Sequence, residues 1–280
     1  RSSDITRADI AKLHHGLRGT PYQANRVLAV LSKMLNLAEA WGERPDGSNP
    51  CRHVEKYKER KRERLLSPDE LARLGSALAR AEQAFASSNG PDLVPVAGNQ
   101  SEEPRVGPYA IAAIRLLIFT GARLNEILTL RWQFVDLERG EARLPDSKTG
   151  SKTLHLPPPA IEVLASLPRM DDNPYVIAGH KAGAHMVNLQ KPWQAVRKAA
   201  SLESLRLHDL RHAFASVAAT SGMGLPIIGK MLGHTQPQTT ARYAHLADDP
   251  VKVAAASVAE KIASAMTGTE AELLDLKDRR

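Results

Sequence analysis

The chain has 280 residues, 42% hydrophobic and 25% charged, which suits one large or two ordinary globular domains, and aromatics at 4% leave the core to Leu, Ile, Val and Ala. Lys and Arg number 38 against 31 Asp and Glu, and the net charge of +7 favours a polyanionic partner over an acidic or neutral one. The single cysteine, Cys51, excludes an internal disulfide and a cysteine-based zinc site, and no apolar run reaches transmembrane length. A reducing, cytoplasmic setting is expected, with no signal peptide at the start and no membrane partner.

Residues 1 to 60 read as helical. Thr6-Arg7-Ala8-Asp9 opens a helix with Ile10, Leu13 and Leu17 on one stripe, and Gly19-Thr20-Pro21 breaks it. A second helix from Ala24 to Trp41 carries Val27, Leu28, Leu31, Leu35 and Ala38 at helical spacing, and Gly42 with the Pro45 to Pro50 stretch ends it. The run RHVEKYKERKRER, Arg52 to Arg64, has no regular apolar face. It reads either as a solvated linker or as a basic strap whose Lys56, Lys58, Arg60, Lys61 and Arg62 lie along a nucleic-acid backbone, and the two are compatible.

Ser67-Pro68-Asp69-Glu70 combines an N-cap, a proline at the first helical position and acids in the first turn. A second domain is expected to start there, with a helix through Leu71, Leu74, Leu78 and Ala81 and a polar surface loop over 86–107. Pro108 to Thr120 is apolar almost all round and predicts a buried helix. It delivers Gly121-Ala122-Arg123 and a further helix from Leu124 to Trp132, with Glu126 one turn after Arg123. Glu141 to Leu156 predicts a β-hairpin with strands at Ala142–Leu144 and Thr153–Leu156, Lys148 at its tip and Lys152 entering the second strand.

A helix is expected over Ala160–Leu167, a short strand over Tyr175–Ile177, and a helix over Lys191–Ala200 with Arg197 and Lys198 turned outward onto phosphate. His180 and His185 lack an acid or cysteine at ligand spacing, so no metal is expected there.

The most informative stretch runs from Leu207 to His245. A helix over Arg206–Gly222 has Leu210, Phe214, Val217 and Ala218 as its expected buried face, with His208, Arg211 and His212 in its first turns. His208 and His212 stand four apart, a spacing zinc can use, but no Glu follows the first and no third ligand is evident. A glycine turn leads to a helix over Leu225–Leu232, then Gly233 and His234, and Tyr243 follows nine residues later on a further helical segment, behind Arg242. A histidine and arginine pair, a second histidine and a tyrosine make a kit for phosphoryl transfer: guanidinium and imidazole donors hold phosphate oxygens, and the phenol attacks. Helix, glycine turn and helix also read as a helix-turn-helix that binds DNA without chemistry. Residues 251–266 form an alanine-rich amphipathic helix, and the tail beyond it is charged.

His208-x-x-Arg211, Leu232-Gly233-His234 and Tyr243 in this order resemble the C-terminal half of the tyrosine recombinases, the phage integrase family. Thr120-Gly121-Ala122-Arg123 matches that family's first-arginine motif. The resemblance covers residues 65–265 and implies a fold that is mainly α with a small antiparallel β-hairpin or sheet. It further implies a catalytic domain over 67–280, a basic linker over 61–66 and a partial helical core-binding domain over 1–60. That domain has four or five helices in the family and two are readable here. With Arg1 in place of Met, a longer protein is expected.

The chemistry implied is strand cleavage through a 3′-phosphotyrosine and rejoining, without cofactor or metal. Tyr243 is the nucleophile, Arg123, Arg211 and His234 stabilise the phosphate, and His208 assists the phosphate or the tyrosine proton. Glu126 holds Arg123. Lys148 is expected as the general acid, with Lys152 its competitor because the hairpin register is open; Lys152, Arg197, Lys198 and Arg242 otherwise serve as DNA contacts. The implied partners are double-stranded attachment-site DNA, three further copies in a tetramer linked through the 251–266 helix, and accessory DNA-bending proteins. The wording GARLNEIL and DSKTG is similar to that of bacterial prophage integrases and favours integration in a bacterial nucleoid. A relaxing enzyme of the type IB topoisomerase kind shares the chemistry, but the small helical N-terminal piece argues against it.

Overall fold

The computed structural model describes residues 1–59, 64–87, 106–145, 150–246, 258–260, 262–264 and 266. Lys148, Arg60, Lys61, Arg62, most of the 86–107 loop and much of 251–266 lie outside the described residues. The chain divides into two compact units, Arg1–Glu63 and Arg64–Arg280.

In the first unit, α1 (Arg7–Gly16) starts on a capping box: Thr6 Oγ1 accepts the Asp9 amide and the Asp9 carboxylate accepts the Thr6 amide. α2 (Pro21–Ala40) buries Ala24, Leu28, Leu35 and Ala38, and Ile10 of α1 and Cys51 complete this small core. Leu13, expected on the buried stripe, is 46% exposed, and His14 is buried instead. The reason is polar. The His14 ring stacks on Tyr57 at 4.3 Å and its Nε2 meets Asn25 Oδ1 at 3.2 Å, while Asn25 Nδ2 donates to the Tyr57 carbonyl. The segment read as having no inward face is therefore anchored at Tyr57 and Val54, and Lys56 and Lys58 are exposed around that anchor.

The second unit is built around α4 (Pro108–Thr120), which packs against α3 (Pro68–Ser87), α5 (Leu124–Leu128), α6 (Pro158–Ser166), α7 (Gln190–Ala199) and α8 (Leu207–Thr220). Its Ile111, Ile114 and Leu116 are fully buried, as expected of a helix apolar all round. Ser67 and Glu70 cap α3 reciprocally. α5 stops four residues before the expected Trp132. There the chain leaves the helix to bond a neighbouring segment, Trp132 N–H to the Pro174 carbonyl and Val176 N–H to the Leu130 carbonyl. The expected strand at Tyr175–Ile177 is accordingly reduced to isolated bridges, Arg131 to Tyr175 and Ala178 to His185.

The hairpin becomes a three-stranded antiparallel sheet in the order β1 (Val135–Asp136), β2 (Glu141–Leu144), β3 (Lys152–His155), with Leu144 opposite Lys152. After α8 come α9 (Leu225–Leu232) and α10 (Pro237–Ala241), then a 3-10 turn over Ala244–Leu246. Among the described residues no helix is long and apolar enough to cross a membrane.

Candidate active site

The site forms where the C-terminal end of α4, the start of α5, the first turns of α8 and the end of α9 meet. Two glycines make this approach possible. Gly121 ends α4 in the left-handed region (φ 62°), and a Cβ there would lie 2.5 Å from the Phe214 ring. Gly233 ends α9 the same way (φ 67°), and its Cβ would meet the Lys152 side chain at 2.9 Å. Both helix ends turn free carbonyls toward the site, and arginines take them.

Arg211 is buried, with Nη1 donating to the Gly121 carbonyl at 2.6 Å and Nη2 to the Leu232 carbonyl at 2.7 Å. Burial and the nearby Arg123 charge push its pKa down to about 10, so it stays charged at neutral pH. Arg123 is the N-cap of α5 and donates from its backbone N–H and Nη1 to the Glu126 carboxylate at 2.9 and 2.8 Å. Glu126 is 6% exposed at its side chain and also accepts Lys152 Nζ at 2.7 Å. Burial alone would raise the Glu126 pKa, but the bonds from Lys152 and Arg123 outweigh it and hold the carboxyl below its ordinary value. Burial pulls the Lys152 ammonium down, and Glu126 opposes that.

This places Lys152 inside the site with its side chain 12% exposed and its stem over Gly233, where the sequence reading held it as the competitor of Lys148 and otherwise as a DNA contact. Lys148 lies outside the described residues. Lys152 is the first residue of β3, opposite Leu144, and its side chain reaches Glu126 of α5.

His234 follows Gly233, and its Nδ1 meets the buried Thr240 Oγ1 of α10 at 2.8 Å, which leaves Nε2 as the free ring nitrogen. Burial first, then the Arg211, Arg123 and Lys152 charges, push its pKa down to about 4. His208 is also depressed, by burial and then Arg211. It lines a cavity of about 370 Å³ with Trp193, Arg197, Arg206 and Arg211. Arg197, expected to point outward, instead donates to the Leu205 carbonyl at 3.0 Å and borders this cavity, whereas Lys198 is exposed.

Tyr243 sits in the turn after α10, not on a helix, and is 4% exposed. Its ring packs among Ala215, Ala218, Ile228 and Leu232. Its hydroxyl lies 2.5 Å from His212 Nδ1, and burial raises its pKa. Arg242 is exposed, with its guanidinium 5.8 Å from the Tyr243 ring centre. His212 is the residue that sequence reasoning left without a role. The signal was available: one turn beyond His208, it shares that face of α8, and the sequence reading weighed the pair only as metal ligands, which it rejected.

Comparison with known proteins places the chain as a whole. The sequence profile of the phage integrase family matches residues 102–249. The chain belongs to the phage integrase family of tyrosine recombinases. It is 30% identical over 132 residues to the prophage integrase IntF of Escherichia coli strain K12, covering 45% of this chain and 28% of that protein. It is 29% identical over 238 residues to the shufflon-specific DNA recombinase of Escherichia coli, covering 81% of this chain and 53% of that protein. The chain thus spans about half or less of the length of these relatives. Its fold is that of a lambda integrase dimer solved on a COC′ core site, at TM-score 0.61 and 19% identity over 86% of this chain and 80% of that one. The same integrase is also solved as a tetramer on a Holliday junction, with TM-score 0.59 at 19% identity over 84% of this chain and 66% of that one.

The recombinase family sets aside the reading as a simple helix-turn-helix. Geometry agrees, because α9 (LPIIGKML) carries one charged side chain, Lys230, and has no polar face with which to read bases.

Proposed function

We propose that the protein is a site-specific DNA recombinase that breaks and rejoins strands through a 3′-phosphotyrosyl link, in the service of prophage or mobile-element integration and excision. Tyr243 attacks the phosphorus and the 5′ oxygen departs. Arg211 and Arg123 bind the non-bridging oxygens, where bidentate guanidinium geometry matches the developing charge, and His234 adds a hydrogen bond through Nε2. His208 binds the same phosphate from the cavity side. Lys152 protonates the departing 5′ oxygen, a task helped by a depressed ammonium pKa. The phosphotyrosyl ester keeps the energy of the broken phosphodiester, so the incoming 5′ hydroxyl reverses the reaction without a nucleotide cofactor.

The observation that carries this reading is the Glu126 carboxylate gathering Arg123 and Lys152 beside the carbonyl-anchored Arg211. Three cations held by buried partners cannot reorganise away from an arriving phosphate. Lys56, Lys58 and Lys198 are exposed and suited to the duplex backbone. A relaxing topoisomerase shares this chemistry, and only strand exchange between two duplexes separates them.

Assembly on DNA uses a groove of about 570 Å³ on the second unit, lined by Leu71, Leu78, Phe119, Phe214, Val217 and Met231. Val217 is 49% exposed there, not buried as expected, because nothing of the described residues covers it. The occupant we assign is the 251–266 segment of a second copy, whose Val258, Ile262 and Met266 are four apart and more than half exposed. Lambda integrase, seen as a dimer and a tetramer on DNA, supports such an assembly. The function is tested by mixing two duplexes that carry the attachment site and looking for recombinant product. Val217→Glu should leave strand cleavage intact and abolish exchange. Relaxation without exchange by the unaltered chain would overturn the recombinase reading.

A further inference from the structure

We propose that His212 is the proton acceptor of the reaction: its Nδ1 takes the phenol proton as Tyr243 attacks, and returns it when the strand is resealed. This rests on the phosphotyrosyl reading above and deepens it. The balance is complete. The Tyr243 O–H bond breaks as Oη–P forms, the proton passes to Nδ1, the P–O5′ bond breaks, and Lys152 gives its proton to O5′. Resealing runs each transfer backward.

The geometry singles out His212 over His208. His212 Nδ1 stands 2.5 Å from the Tyr243 hydroxyl, while the His208 ring faces His212 edge-on at 4.7 Å. A neutral imidazole protonated at Nε2 is the form that can accept. Burial, then Arg242, His208 and Arg211, with Asp209 opposing, push the His212 pKa down to about 4, so the ring is neutral at physiological pH. Those are the charged groups that face it, from α8 and from Arg242 at the C-terminal end of α10, next to Tyr243. A phosphate arriving among Arg211, Arg123 and Arg242 cancels part of that positive field. His212 then becomes more basic only when its substrate is in place.

The experiment measures covalent adduct formation by the full chain on a nicked duplex carrying the attachment site, from pH 6 to 9.5, with His212→Gln beside the unaltered protein. Glutamine can accept the phenol hydrogen bond but cannot take its proton. The variant should be about 100-fold slower at pH 7, with a rate rising about tenfold per pH unit as hydroxide replaces the lost base. A 5′-bridging phosphorothiolate, whose leaving group needs no acid, should restore Lys152→Ala and leave His212→Gln slow. Cleavage by His212→Gln within about threefold of the unaltered protein and without a new pH slope, or rescue by the phosphorothiolate, overturns the assignment and reduces His212 to placement. Nitrogen-15 NMR of the DNA-free chain gives an arm independent of folding variants. An Nδ1 carrying the proton at pH 7 contradicts the proposal. Absence of adduct from the unaltered chain would instead sink the phosphotyrosyl reading, and this proposal with it.

Discussion

The two sides of the site are held in opposite ways. The arginine side is fixed by buried, mutually satisfied partners: Arg211 on two helix-end carbonyls, and Glu126 on Arg123 and Lys152. The tyrosine side rests mainly on apolar packing: Tyr243 follows a five-residue helix, its ring sits among Ala215, Ala218, Ile228 and Leu232, and its hydroxyl meets His212. The difference teaches a division of labour. Under the proposed function, charge stabilisation requires donors that do not move, whereas an attacking phenol must be free to swing onto phosphorus.

The largest expected effect comes from the fixed side. Arg211→Ala removes the proposed phosphate donor and takes its partner from the buried Gly121 and Leu232 carbonyls. Cleavage should fall by about 10³-fold, and stability by about 1–3 kcal/mol, read by adduct assay and thermal melting. Arg211→Lys keeps the charge but cannot span both carbonyls, and should remain about 100-fold impaired. If lysine restored activity, the two-carbonyl anchor would not be what matters.

Next comes the shared carboxylate. Glu126→Gln leaves Lys152 and Arg123 without their counter-charge and should lower stability by about 3 kcal/mol while cleavage falls about tenfold. Because Glu126 is held below its ordinary pKa, its stabilisation is present above the unfolded carboxylate pKa and is lost as pH falls through the folded value. Melting of the unaltered chain should therefore lose more between pH 5 and 3 than that of Glu126→Gln.

The histidines sharpen the contrast in a different pH window. His212 and His234 are each near 4 when folded and about 6.5 when unfolded, so the unfolded chain binds more protons between those values. Stability should fall as pH drops from about 6.5 to about 4, and His212→Gln should shallow that slope in thermal melts. The smallest effect belongs to Thr240→Val, which strips His234 Nδ1 of its partner and frees the ring. Cleavage should fall about fivefold, with DNA binding unchanged in a salt titration.

Much of this was legible in the sequence because the signals were local. The run 108–120 is apolar all round and became the central helix, and α9 fits its glycine and proline bounds. Arg123, Glu126, Arg211 and His234 were picked out by the resemblance of their short motifs to the tyrosine recombinases, and those motifs lie within local elements. The choice between Lys148 and Lys152 stayed open in the sequence because hairpin register is set by pairing across strands, which composition does not reveal. Leu13 and Val217 were assigned inward by periodicity alone; a His14–Tyr57 stack displaced one, and an open groove left the other half exposed. Tyr243 was expected on a helix, but Arg242 already ends α10.

The central claim is that Tyr243 forms the covalent link. The direct measurement is a nicked duplex bearing the attachment site, incubated with the full chain in EDTA and resolved on a denaturing gel. The account predicts a protein–DNA band that survives boiling, is absent with Tyr243→Phe, and carries the protein on the 3′ side of the break. A band of equal intensity from Tyr243→Phe, or protein found on the 5′ side, would contradict it.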